Sequence, residues 1–260
     1  MQVMAVVPSQ PAGALAEAWA RKLGMLRDHA LQVGWLRSEL TRLPVARSAD
    51  LLSVVLARAE QRDERHALLL LRISLALAGP GNAALKRSIA VVAAAQGQCS
   101  LARFLGRDEH SEQQVEDNEP ANERELPDFG MGRPLSLGER KSLARTHNRA
   151  LLTRVLRDPH PTVIRILLDN PAVVETDVIR LCARRPARPQ VLAEVFQHQR
   201  WVLHYRIRLS LALNPFTPEE IALQLLPHLT PTDLRAVRTS SQISQRVRDA
   251  CLEKNEKALH

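Results

Sequence analysis

The chain has 260 residues, 45% apolar and 25% charged, enough for one sizeable core or two modest ones in a folded protein. Aromatic residues make up only 3%, which excludes the aromatic platforms on which single-strand nucleic-acid readers stack bases. Leu, Ala and Arg dominate instead, favouring helices over strands, and the formal charge is +8.

That charge is unevenly spread. Residues 1–106 carry 13 Lys/Arg against 7 Asp/Glu, residues 107–128 carry 2 against 9, and residues 129–260 carry 21 against 12. Basic blocks attract acidic protein, nucleic acid or anionic lipid, but arginine-rich helices are also commonly just solvated surface. Cys99, Cys182 and Cys251 lie far apart with no C-x-x-C pair, which fits a reducing compartment and three small buried hydrophobes. Met1 to Pro8 places no positive charge ahead of an apolar run, so no secretory signal is expected. No apolar run approaches the roughly 20 residues of a membrane span. The nearest, Ala67 to Ala78, is interrupted by Arg72. The expectation is a cytoplasmic protein without a membrane partner.

Residues 1–13 hold two prolines and no periodicity, predicting a flexible tail. A helical N-terminal domain is expected over 14–106. Leu15, Trp19, Leu23, Leu26, Ala30, Val33, Leu36 and Leu40 form one stripe, predicting a helix from Leu15 to Leu43. Ser48 is the expected N-cap of a helix from Leu51 to Arg62. Ala67 to Ala78, apolar nearly all round, predicts a buried central helix that stops at Gly79-Pro80-Gly81, and Asn82 is placed to cap another running to about Ala95. Between Leu105 and Leu126 the only aliphatic residues are Val115 and Ala121. Residues 107–128 therefore read as an acidic disordered linker. The alternative is an acidic tether that folds back on a basic face and competes with an anionic partner.

Residues 129–260 are punctuated regularly. Ser136-Leu137-Gly138-Glu139 predicts a capping box. Apolar faces follow at Leu151/Leu152/Val155/Leu156, Val163/Ile164/Ile166/Leu167/Leu168, Val178/Ile179/Leu181/Cys182 and Val191/Leu192/Val195/Phe196. Val202 to Leu213 predicts a long apolar helix. Thr217 and Thr230 are expected to cap two more, and a last one covers about Ser244 to Glu256, making roughly eight short helices.

Asn170-Pro171 and Asn214-Pro215 stand 44 residues apart, each after an apolar helix. Arg72-Ile-Ser-Leu-Ala-Leu-Ala-Gly-Pro80 is a fainter echo of Arg208-Leu-Ser-Leu-Ala-Leu-Asn-Pro215. Short helices must stack to bury their faces, and a period of this size signals a solenoid. Asp158-Pro-His-Pro-Thr-Val-Ile-Arg165, Asn214-Pro-Phe-Thr-Pro-Glu-Glu-Ile221 and Arg188-Pro-Gln-Val-Leu192 resemble the phrases joining helices in bacterial HEAT-like repeats of the leucine-rich-repeat-variant type. The resemblance spans roughly residues 149–252 and implies an all-α fold, an α-solenoid of short helical repeats over 129–260. Some members of that family carry an iron–sulfur cluster on an N-terminal cysteine cluster, which this chain lacks.

Catalytic signatures are missing from the text: there is no G-x-G-x-x-G, P-loop, H-E-x-x-H or G-x-S-x-G. His198 and His204 are six apart, the wrong spacing for metal ligands on one helix face, and no cofactor or metal is expected. Glu219-Glu220, Glu175 and Asp177 have capping explanations; Asp63-Glu64 and His160 read as turn residues. What stands out is a basic, aromatic cluster: Arg184, Arg185, Arg188, Trp201, Tyr205, Arg206 and Arg208, with His204 among them. Arginine beside aromatics is enriched at binding surfaces, whereas the alternative buries Trp201 and Tyr205 under snorkelling arginines. The expected function is a non-enzymatic scaffold or adaptor whose partner is a macromolecule, foremost a protein. The alternative is a DNA-binding HEAT-like protein related to repair glycosylases, and a third reading is a small helical enzyme with a scattered site.

Overall fold

The structure is a computed structural model that describes residues 10–78, 81–106 and 126–257, residues 252–257 as backbone only. Most of the expected tail, and all of the expected linker before Leu126, lie outside the described residues. Among the described residues the fold is all-α, with fifteen α-helices and no strand. None of the helices searched is long and apolar enough to cross a membrane. The chain divides into two compact units, residues 1–107 and 108–260.

The first unit contains α1 (Ala12–Met25), α2 (His29–Arg42), α3 (Val45–Glu60), α4 (Glu64–Ala78), α5 (Ala83–Ala95) and α6 (Cys99–Leu105). The single helix expected over Leu15–Leu43 is two. Leu26 turns extended at ψ 116°, and Asp28 caps α2 by accepting the Leu31 N–H at 2.9 Å. The stripe survives the break because α1 and α2 both pack on α4, burying Trp19, Leu23, Val33, Leu36 and Leu40. Ala30, at the break, is exposed. Ser48 is not a cap. Pro44, with φ already near −55°, opens α3 earlier and leaves Ser48 buried inside it. Asn82 does stand at the N-cap position of α5, but its side chain makes no capping bond; its amide donates to the Ala76 carbonyl at 2.7 Å. Ala12 and Gly13, placed in the tail by sequence, begin α1.

Helix α4 is the expected buried centre, with every residue from Leu69 to Leu77 buried. Arg72 shares that burial, with Nη2 2.6 Å from His29 Nδ1, and burial pushes its pKa down. His66 joins three helices and a turn: Nδ1 lies 2.8 Å from Asp63 Oδ2, Nε2 lies 3.1 Å from Arg58, and Arg58 pairs with Glu17. Cys99, expected to be buried, is exposed.

The second unit runs α7 (Leu137–Leu143), α8 (Arg149–Val155), α9 (Pro161–Leu168), α10 (Glu175–Ala183), α11 (Pro189–Gln197), α12 (Tyr205–Ala212), α13 (Glu219–Leu225), α14 (Pro231–Thr239) and α15 (Gln245–Lys257). A 3-10 turn, Trp201–Leu203, precedes α12. The long helix expected over Val202–Leu213 is therefore divided. Arg208 donates to the carbonyls of Val202 and Leu203 at 3.0 and 2.7 Å, and His204 turns extended between the two segments. The Ser136/Glu139 capping box and the Thr230 cap form as expected. Thr217 does not cap: its hydroxyl donates to the Leu211 carbonyl at 2.7 Å, and Pro218 takes the cap position.

The two Asn-Pro pairs make one arrangement twice. Asn170 Nδ2 donates to the carbonyls of Ala144 and Thr146, both at 2.8 Å, while Oδ1 accepts the Ala172 N–H. Asn214 Nδ2 donates to Cys182 and Arg184 at 2.7 and 3.0 Å, while Oδ1 accepts the Phe216 N–H. In each case a buried amide satisfies the orphan carbonyls at the end of an earlier helix, α7 or α10. Helices of seven to nine residues are too short to persist alone, so these ties and the buried faces hold them.

Candidate functional site

The seven residues expected to form one basic patch divide among separate environments. Trp201 is a core residue, 1% exposed, with its indole N–H donating to the Leu168 carbonyl at 2.9 Å. The turn that carries it packs against α11, and burial leaves the ring no accessible face to offer a partner in this conformation. Tyr205 is half-buried; its hydroxyl donates to Asp233 and accepts the Thr230 N–H at 3.0 Å. The Arg208 guanidinium lies 5.6 Å from the Tyr205 ring centre, and burial pushes its pKa down. Arg206 is exposed on α12. Arg185 is also exposed and bridges Gln242 Oε1 at 2.6 Å and the Leu213 carbonyl at 2.8 Å.

Arg184 and Arg188 remain, and the fold joins them to two arginines that sequence reasoning missed. The loop after α8 and the loop after α10 lie side by side, with Arg184 Nη1 donating to the Arg157 carbonyl at 2.9 Å. Between them opens a basin of about 350 Å³ lined by Arg157, Pro159, Leu181, Arg184, Arg188 and Val191. A second basin of about 440 Å³ shares Arg157 and Arg184 and adds Arg154, Leu126 and Asp128. Gly130, at φ 77°, leaves room for the Arg154 guanidinium, into which any side chain at 130 would run.

The loop positions are held by charge. Asp158 is fully buried as a side chain and receives both Arg140 bonds, at 2.8 and 3.0 Å, plus the His160 N–H at 2.8 Å. Asp158 also lines the first basin, but its charge is matched there by Arg140. His160 caps α9 by accepting the Thr162 N–H, and burial, then the charge of Arg140, lowers its pKa. Arg154, Arg157 and Arg184 are exposed and form no ion pair among the described residues. The cleft thus combines an apolar floor with guanidinium forks, which match carboxylate or phosphate oxygens in bidentate geometry. Three other exposed arginines of this unit do pair with carboxylates: Arg133 with Glu139, Arg149 with Asp177 and Arg165 with Glu194.

No His, Cys, Asp or Glu group among the described residues is arranged to hold a metal ion. Burial pushes the Cys182 thiol pKa well up, which keeps it protonated and inert. Arg154 and Arg157 carry a faint sequence signal, an i, i+3 pair just before Asp158-Pro159. Nothing in the text links them to Arg184. Compared with models of protein families, with curated proteins and with solved structures, the chain matches none of them.

Proposed function

We propose that the chain is a non-enzymatic scaffold or adaptor of the cytoplasm, its second unit a HEAT-like α-solenoid that binds a protein partner. The observation that carries this reading is the arginine-lined cleft where the loops after α8 and α10 meet, in which Arg154, Arg157 and Arg184 are exposed. The twice-used Asn-Pro tie supports the solenoid part, because it registers each group of helices on the one before.

A nucleic-acid partner fits less well. A phosphate track needs a long run of unmatched cations, and in this unit Arg133, Arg149 and Arg165 pair with carboxylates. A glycosylase-like site also needs an accessible aromatic beside a carboxylate, and Trp201 is buried. The test is affinity purification of the full chain beside an Arg157→Glu/Arg184→Glu variant, with and without nuclease. A protein retained by the parent after nuclease, lost by the variant and rebinding when purified, is the expected result. Recovery of nucleic acid alone, or of nothing that distinguishes the two chains, overturns the reading.

A further inference from the structure

We infer that the cleft recognises a linear acidic peptide segment carrying one apolar side chain beside its carboxylates; this rests on the protein-partner reading above. The first basin has two kinds of wall. Pro159, Leu181 and Val191 form an apolar floor, and Arg157, Arg184 and Arg188 stand at its edge. At about 350 Å³ it lies at the small end of ligand sites, room for an apolar side chain together with its neighbours in a peptide segment. An aliphatic side chain seated on that floor brings the carboxylates next to it in sequence under the guanidinium forks.

The second basin extends the site. It shares Arg157 and Arg184 with the first and adds Arg154 and the Asp128 carboxylate. A further acidic residue can therefore meet Arg154, while Asp128 disfavours a carboxylate placed next to it. Arg184 is held in place by its bond to the Arg157 carbonyl, so part of the ordering cost is met before binding. A free phosphate would use the arginines but leave the apolar floor wet, and a nucleic-acid strand would find no exposed aromatic among the lining residues.

The test uses the full chain and fluorescence anisotropy with short labelled peptides. One has a single leucine flanked on each side by glutamates. In the second the leucine is serine, and in the third the glutamates are glutamines. The leucine–glutamate peptide is expected to bind, the serine peptide about tenfold more weakly, and the glutamine peptide not measurably. Arg157→Glu/Arg184→Glu is expected to weaken the first peptide by tenfold or more, while Arg235→Glu, an exposed site on α14, leaves it unchanged. Circular dichroism confirms that each variant keeps its helix content, and Arg157→Gln/Arg184→Gln, which adds no negative charge, is expected to show an intermediate loss. Equal affinity for the leucine and serine peptides, or stronger binding of duplex DNA than of any peptide, overturns the inference. If no acidic peptide binds while a purified protein partner is still lost by the double variant, the peptide inference fails and the scaffold reading stands.

Discussion

Asn170 and Asn214 each concentrate three hydrogen bonds on one buried amide. Removing such a group leaves two backbone carbonyls and one N–H without partners in a site that excludes water. Asn214→Ala is expected to lower stability by about 2–3 kcal/mol in urea denaturation, and Asn170→Ala similarly. A loss below about 0.5 kcal/mol would mean that water replaces the amide. Asp177 is the matching acidic device. It accepts both Arg149 nitrogens, at 2.6 and 2.9 Å, and the Val174 N–H, and the Arg149 bonds hold its pKa below the ordinary carboxylate value of 3.8. A depressed folded pKa favours the native state above that value, and the contribution is lost as pH falls through the folded one. Thermal midpoints are therefore expected to drop as pH falls below 3.8, and to drop less steeply in Arg149→Gln. At Glu139, the Arg133 guanidinium and the Ser136 bonds lower the pKa to about 2. Carbon-detected NMR titration is expected to find it there, and to find it raised in Arg133→Ala.

At the scale of elements, apolar spacing reports which face is buried, and not whether the helix is continuous. The stripe through α1 and α2 passes over a break at Leu26–Asp28 because one partner, α4, receives both helices. Helix α4 makes the converse point. Its run of buried residues is legible in the text as a segment apolar nearly all round, yet its outer edge is not, since Leu68 is 38% exposed and Leu70 fully buried. Leu70→Ala is expected to cost about 2–5 kcal/mol, and Leu68→Ala under about 0.5 kcal/mol, as read by urea midpoints. Helix α12 was legible in composition but not in length. Its start is decided by Arg208, which takes the carbonyls of the preceding turn, and a side chain's choice of carbonyl is invisible to periodicity.

Across the whole molecule, two compact units each hold a hydrophobic core. Residues 126–260 expressed alone are therefore expected to melt in a single cooperative transition followed by circular dichroism at the helical band; a broad, baseline-like melt would place part of their stability outside that unit. The sequence by itself determined the all-α class, the two helical halves, the Ser136 and Thr230 caps and the paired Asn-Pro stops. These rest on local propensity, on capping chemistry and on hydrophobic spacing, which act over a few residues. Only the tertiary structure decided where the arginines count. Trp201, Tyr205 and Arg208, neighbours in the text, go separate ways, into the core, to Asp233 on α14 and to the carbonyls of the preceding turn, whereas Arg154 and Arg157 meet Arg184 from 27 or more residues away. Two loops are brought together by the packing of short helices beneath them, and that packing depends on contacts no local window contains.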